Sequence, residues 1–213
     1  MQIYLGVFII IAGYLIGSIP TSIWAGKIFF SKDIREHGSG NAGATNAIRV
    51  LGPKVGVPVL LFDICKGFFV VKLISLTNIQ PQTELFVIFQ ILAGTAVFIG
   101  HVFPLYEKFK GGKGVATLFG FFLAIIPLPT LITLGVFIIT LLISKYVSLS
   151  SILAAFSFPL LIIFVFKIEN IALIIFSLAV FILLLITHRK NIERLLNNEE
   201  SKVGFLSNNK QSS

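Results

Sequence analysis

The stretch Gly38-Ser39-Gly40-Asn41-Ala42-Gly43-Ala44-Thr45-Asn46, followed by Arg49, lies between two long apolar runs and is built of residues suited to holding an anion. Its side chains are small and mostly hydrogen-bonding, so backbone N–H groups could approach a phosphate, and Arg49 adds a planar cationic fork. A polar turn between membrane helices needs a glycine or two, but not three interleaved with Ser39, Asn41, Thr45, Asn46 and a trailing arginine. A second segment, Gly111-Gly112-Lys113-Gly114, opens another apolar run. Free N–H groups and a lysine at a helix N-terminus would again favour an anion. The spacing and preceding strand of a Walker loop are missing, and a plain helix entry could also use these residues. Third, His188 and Asn191 are three apart, so a helical turn would place both on one face beside the headgroup layer.

The elements that must carry these residues follow from composition. The 213 residues are 56% hydrophobic and 12% charged, with a mean hydropathy of +0.97. A soluble domain of this size needs no such apolar excess, whereas each bilayer span needs about 20 apolar residues. The chain reads as a multispan membrane protein. Its net charge of +8 comes from residues gathered between apolar runs, a pattern that reports orientation and not a nucleic-acid partner. The single Cys65 excludes an internal disulfide and reads as a small packed hydrophobe.

The first helix is expected over Ile3–Ala25, retained and with its N-terminus outside, because positive charge begins only at Lys27. Gly17 through Ser22 mark a kink, since Pro20 removes a donor. A loop over Phe30–Pro53 holds the first motif. A second helix is expected from about Lys54 to Leu76, a third from about Leu85 to Phe103. Further turns are expected at Pro127-Leu128-Pro129, at Ser144-Lys145-Tyr146 and at Lys167 through Asn170. The count is about seven helices, or five with kinks, and either places both glycine-rich segments and the basic C-terminal end inside. Within the second helix Asp63 and Lys66 share a face and point inward, as a structural ion pair or as substrate contacts. Beyond Glu200 the polar tail reads as disordered.

Together these segments resemble a known family. Gly17-Ser18-Ile19-Pro20, Gly38 through Asn46 with Arg49 and Gly52, Asp63 with Lys66-Gly67, His101 through Thr117, and His188-Arg189 with Asn191-Ile192 and Arg194-Leu195 are similar to those of bacterial acyl-phosphate:glycerol-3-phosphate acyltransferases of the PlsY type. The resemblance runs from the first helix to about Glu200. Ala42 stands where a Pro is common, and Asn198 where a Gly is expected, although Asn tolerates left-handed backbone.

The resemblance implies an all-α polytopic fold of about seven transmembrane helices, with the active site at the cytoplasmic face of the bacterial inner membrane. It implies a single acyltransferase domain over residues 1–200. The substrates would be glycerol 3-phosphate and an acyl phosphate, the products lysophosphatidic acid and phosphate. Ser39, Arg49, Lys113, His188 and Asn191 would be the catalytic set. Gly38, Gly40, Asn41, Gly43, Thr45, Asn46, Asp63, Lys66, His101, Gly111, Gly112 and Gly114 would bind substrate. Expected partners are these substrates and the bilayer, with a functional link to the acyl-phosphate-forming enzyme. No cofactor, metal or nucleic acid is expected, and the protein is expected to be a monomer.

That chemistry suits the residues. An acyl phosphate is an activated mixed anhydride and demands no enzyme nucleophile. The site has to neutralise two phosphate-bearing reactants and align a hydroxyl with a carbonyl. The base is either His188 or the substrate's own phosphate. His188 and Glu193 form His-x-x-x-x-Glu, but a helical offset of five turns the carboxylate away. A transporter for a phosphorylated solute is the rival reading, although it would favour paired repeats with helices broken near the midplane.

Overall fold

A computed structural model describes residues 2–81 and 83–203, and among them the chain is all-helical, with ten α-helices. It forms two compact units. One holds the residues up to Pro127 together with Asn170–Leu173, the other Leu128–Glu169 and the residues from Ile174 on.

In the first unit, α1 (Gln2–Gly17) and α2 (Thr21–Phe30) are one apolar stretch interrupted at Ser18-Ile19-Pro20. The expected single helix is therefore two, broken at the kink signal because Pro20 cannot donate. Ser18 Oγ donates to the Tyr14 carbonyl at 2.8 Å, satisfying an acceptor at the helix end. The expected Phe30–Pro53 loop needs a correction, since it contains α3 (Ala44–Leu51). Ala44, Ala47 and Leu51 follow helical spacing and are buried with Ile23, Ile34 and Val59 in one cluster. Gly52, at φ +84°, turns the chain, and Pro53 starts α4 (Pro53–Lys72) at its first position.

At about 1.5 Å per residue, α4 is long enough to span a bilayer. Its polarity is inverted: Asp63, Lys66 and Gly67 are buried, while Leu61, Phe62, Cys65 and Phe69 are exposed. Cys65 is thus not packed inside, because it shares a face with the outward apolar residues. Lys72 lies over the Phe68 ring at 5.7 Å, its stem along apolar surface. α5 (Glu84–Val102) is capped by Thr83, whose Oγ1 accepts from the Phe86 N–H at 3.3 Å. α6 (Val115–Ile125) completes the unit.

Two helix crossings depend on reciprocal glycines. Between α1 and α5, a Cβ on Gly17 would collide with the Val97 carbonyl, and one on Gly100 with the Tyr14 carbonyl. Between α4 and α6, Gly67 faces the Thr117 carbonyl and Gly120 the Ile64 carbonyl in the same way. Where lipid removes most of the hydrophobic drive for helix pairing, such close backbone approach supplies the packing.

The second unit contains most of α7 (Pro127–Ser144), α8 (Val147–Leu160) with a π-helical turn at Leu161–Val165, most of α9 (Ile171–Thr187), and α10 (Arg189–Leu196). The π turn follows Pro159, whose missing N–H disrupts the ladder. Breaks fall at the expected turns around Lys145 and at Lys167 through Asn170, whereas Pro127-Leu128-Pro129 form the first turn of α7 and the break lies just before them, at Ile126. Exposed residues such as Ile139, Ile143, Phe164 and Ile175 form the outward apolar surface that a bilayer solvates. Among the described residues, four helices are long and apolar enough to cross a membrane, or five if α9 and α10, bent by 61°, count as one. The expected tail beyond 203 lies outside the described residues.

Candidate active site

The glycine-rich stretch is a loop folded back on α3. Asn46 is 1% exposed. Its Oδ1 accepts the Ser39 N–H at 2.9 Å, and its Nδ2 donates to the carbonyls of Ile34 and His37 at 2.8 and 3.1 Å. Both ends of the amide are spent on the loop, so Asn46 shapes the site from inside and does not offer its side chain to a ligand. Gly38, at φ +61°, takes a left-handed conformation and lies against Asn46 and the Cδ of Arg49, 3.3 Å from where a Cβ would be. Gly43 caps α3. Thr45 and Arg49, four apart, share one exposed face of this helix, while Ser39 and Asn41 are half-buried and Gly40 exposed above its N-terminal end.

A second cluster lies where α1 breaks. Lys66 Nζ is 2.7 Å from Asp63 Oδ1 and donates to the carbonyls of Gly17 and Ile19 at 3.2 and 3.4 Å. His101 Nδ1 is 3.5 Å from the same Asp63 oxygen. The Gly111 and Gly112 N–H groups donate to the carbonyls of Val102 and His101 at 3.1 and 3.2 Å. This corrects the expectation of free N–H groups at both glycines, which serve the fold of the loop. Gly114, at φ +78°, starts α6, and Lys113 before it is half-buried. A small cleft lined by Thr21, Ser22, Ala42, Asp63, His101 and Gly112 joins the two glycine-rich segments, and Ser22 Oγ donates to the Ala42 carbonyl across it at 2.8 Å.

Around this unit's loops, Lys27 Nζ meets Glu107 at 2.9 Å, and Arg35 bridges Asp33 at 2.6 Å and Glu107 at 2.8 Å. These charges tie α2 to the turns before α3 and before α6. The hydrogen bond from Arg35, foremost, holds the Asp33 carboxyl down to about 2 from an ordinary 3.8. A depressed carboxyl adds stability that is complete above its unfolded value and lost as pH falls through its folded one. The thermal stability advantage of wild type over Asp33→Asn should therefore hold above pH 3.8 and vanish by about pH 2. Melting curves of both proteins in detergent across this range would check it.

In the second unit, His188 caps α10 and is 2% exposed. Its Nδ1 lies 2.9 Å from the Leu184 carbonyl. A carbonyl only accepts, so Nδ1 is the donor in this contact. Asn191 is held by Glu200, which accepts from Asn191 Nδ2 at 2.7 Å, Ser148 Oγ at 2.8 Å and Arg194 Nε at 2.9 Å. Burial pushes the Glu200 carboxyl up, but the Asn191 and Ser148 hydrogen bonds and the Arg194 charge outweigh it and hold it below the usual range. Glu193 is exposed, so Glu200, not Glu193, is the carboxylate that organises this corner. Asn198 takes φ +59°, the left-handed turn expected where a glycine was missing.

The glycine-rich segments thus meet in one unit, and His188 and Asn191 share the other. A family model for glycerol-3-phosphate acyltransferase matches residues 7–198. The chain belongs to this family. It is 44% identical to "Glycerol-3-phosphate acyltransferase 2" of Bacillus anthracis, over 93% of this chain and 100% of that one. It is 43% identical to a glycerol-3-phosphate acyltransferase of Chlorobium luteolum, over 92% of this chain and 96% of the relative. Among solved structures, the glycerol 3-phosphate form of PlsY (YgiH), an integral membrane glycerol 3-phosphate acyltransferase, superposes with a TM-score of 0.84 at 36% identity, over 94% of this chain and 96% of that chain. The lysophosphatidic acid form of that protein gives 0.79 at 35% identity, over the same shares of the chains, 94% and 96%.

Sequence reasoning missed Glu200 and the Asp33, Arg35 and Glu107 cluster. Glu200 stands at the edge of the polar tail, and no local pattern distinguishes it from Glu199. An acid-base spacing around Asp33-Ile34-Arg35 was a signal that could have been read.

Proposed function

We propose that the protein is a membrane-bound acyltransferase that moves a fatty acyl group from an acyl phosphate to glycerol 3-phosphate, giving lysophosphatidic acid and phosphate, the first step of phospholipid synthesis. The observation that carries this reading is the likeness over 94% of the chain to the glycerol 3-phosphate form of an integral membrane acyltransferase. It is supported by Arg49 and Thr45 exposed together on one face of α3.

Ser39, Arg49 and Lys113 take the phosphate groups, and the loop of Gly38, Gly40, Asn41 and Gly43 brings backbone close to them. His188 and Asn191 contact the glycerol hydroxyl. That hydroxyl oxygen attacks the acyl carbonyl carbon, the bond to the phosphate oxygen breaks, and inorganic phosphate leaves. The hydroxyl proton passes to His188 Nε2 or to the substrate's own phosphate. Neutralised phosphates lower the cost of bringing two anions together, and alignment supplies the rest of the acceleration.

One acyltransferase domain covers residues 1–200 and crosses the bacterial inner membrane about seven times. The spans are α1 with α2, α4, α5, α6, α7, α8 with its π turn, and α9. Lys32, Arg35, Arg49, Lys110, Lys113, Lys145, Arg189 and Lys190 all fall at one side in this order, which favours an external N-terminus and a cytoplasmic C-terminus. The protein works as a monomer beside an enzyme that supplies acyl phosphate.

Purified protein given labelled glycerol 3-phosphate with palmitoyl phosphate or palmitoyl-coenzyme A should form labelled lysophosphatidic acid from the acyl phosphate alone. Residual turnover by His188→Ala would assign the proton to the substrate phosphate. No product from either donor, with folded protein that binds glycerol 3-phosphate, would sink this reading in favour of transport.

A further inference from the structure

The buried Asp63, Lys66 and His101 are not exposed to take part in binding from the surface, yet three polar side chains are carried inside a membrane protein, where each needs a reason. Their exposures are 3%, 2% and 8% of the side chain. Lys66 uses its three donors on Asp63 and on the Gly17 and Ile19 carbonyls at the break between α1 and α2. Asp63 Oδ1 then faces His101 Nδ1 at 3.5 Å and Thr21 Oγ1 at 3.5 Å. The far side of the same ring, Nε2, lies against Gly112 where any Cβ would collide, and the His101 carbonyl accepts the Gly112 N–H at 3.2 Å. Gly112 also packs under the Ala42 carbonyl, 3.0 Å from a Cβ placed on it. A continuous chain of contacts therefore runs from the broken first helix through α4 and α5 to the residue before Lys113.

We propose that Asp63, Lys66 and His101 are positioning residues that set the place of the Gly112-Lys113 backbone, and with it the ammonium offered to a substrate phosphate. The second half of this statement rests on the acyltransferase reading; the first does not. A hydrophobic trio of equal volume would fill the same space, and replacing buried ion pairs in this way is often neutral for stability. It would not seat an imidazole, held 3.5 Å from a carboxylate on one edge, against a glycine on the other. The polar trio serves geometry: in a low-dielectric interior the Lys66 bonds to Asp63 and to the Gly17 and Ile19 carbonyls fix the carboxylate against which the His101 ring is set.

The test compares His101→Leu, which leaves the Asp63 and Lys66 pair intact, with Asp63→Leu/Lys66→Met, which removes both charges, and with His101→Asn, whose amide can still donate to Asp63. Amide hydrogen exchange is followed in substrate-free protein for the peptides covering residues 110–115 and 31–38, and turnover is measured beside it. Exchange at 110–115 should accelerate about tenfold in the first two variants, unchanged at 31–38, with turnover falling by about the same factor. His101→Asn should recover most of both. If one of the first two variants does not fold, the other decides. Unchanged exchange at 110–115 in a folded variant, or equal acceleration at 31–38, overturns the proposal. Inactive wild type would count against the reaction alone, because exchange still reads the loop.

Discussion

Replacing Arg49 with alanine is expected to lower kcat/KM with palmitoyl phosphate and glycerol 3-phosphate by about 100-fold, while the melting temperature stays within a degree or two. Arg49 lies on the exposed face of α3, and its stem passes beside Gly38, so its removal opens no cavity in the cluster of Ala44, Ala47 and Leu51. On the proposed reaction, what disappears is a charge-assisted bond to a phosphate, about 1.5–3 kcal/mol, and each ~1.4 kcal/mol is a factor of ten. Arg49→Lys should recover only part of this, because an ammonium cannot form the bidentate fork. Steady-state kinetics with both variants, and thermal unfolding beside them, would settle the matter. Near wild-type turnover by Arg49→Ala would remove α3 from the phosphate site and leave Thr45 without its companion.

Asp63→Ala should have the largest effect on the fold. It leaves the Lys66 ammonium in the interior with only two carbonyls, and breaking a buried pair on one side costs about 3–5 kcal/mol. A poor yield of monodisperse protein and a much lower melting temperature in detergent are expected. The double variant Asp63→Leu/Lys66→Met should unfold close to wild type, because the uncompensated charge is gone. If Asp63→Ala melts like wild type, Lys66 has water or lipid headgroups within reach, and the ion pair is not the internal anchor that its 2% exposure indicates.

The two effects differ because the residues were legible in different ways. Arg49 stood out by type, a cation after a run of small polar residues, and it lies exposed on α3. Asp63 and Lys66 also stood out, being charges three apart in an apolar run, and the inward direction was read correctly. Which use they serve could not be read, since the carbonyls of Gly17 and Ile19 and the ring of His101 come from other helices. The same limit explains Cys65, whose type suits packing but which is exposed: one residue from a buried lysine, it falls on the outward arc of α4. It explains α3 as well. Polar residues in Thr45, Asn46 and Arg49 masked the spacing of Ala44, Ala47 and Leu51, whose burial depends on Ile23, Ile34 and Val59 from neighbouring segments.

By itself the sequence determined the solvent, the existence of several long apolar stretches, the break at Pro20, the left-handed turn at Asn198 and the residue types that suit phosphate. These are local matters of apolar length, a missing N–H, an allowed φ and side-chain chemistry. Only the tertiary structure decided that the Gly111 and Gly112 N–H groups are already spent on the carbonyls of Val102 and His101, that Asn46 turns its amide inward, and that Glu200 holds Asn191. Hydrogen-bond partners in these cases lie across a turn or on another helix. A donor's availability depends on which acceptor folding brings to it, and that is a property of packed elements, not of spacing along the chain.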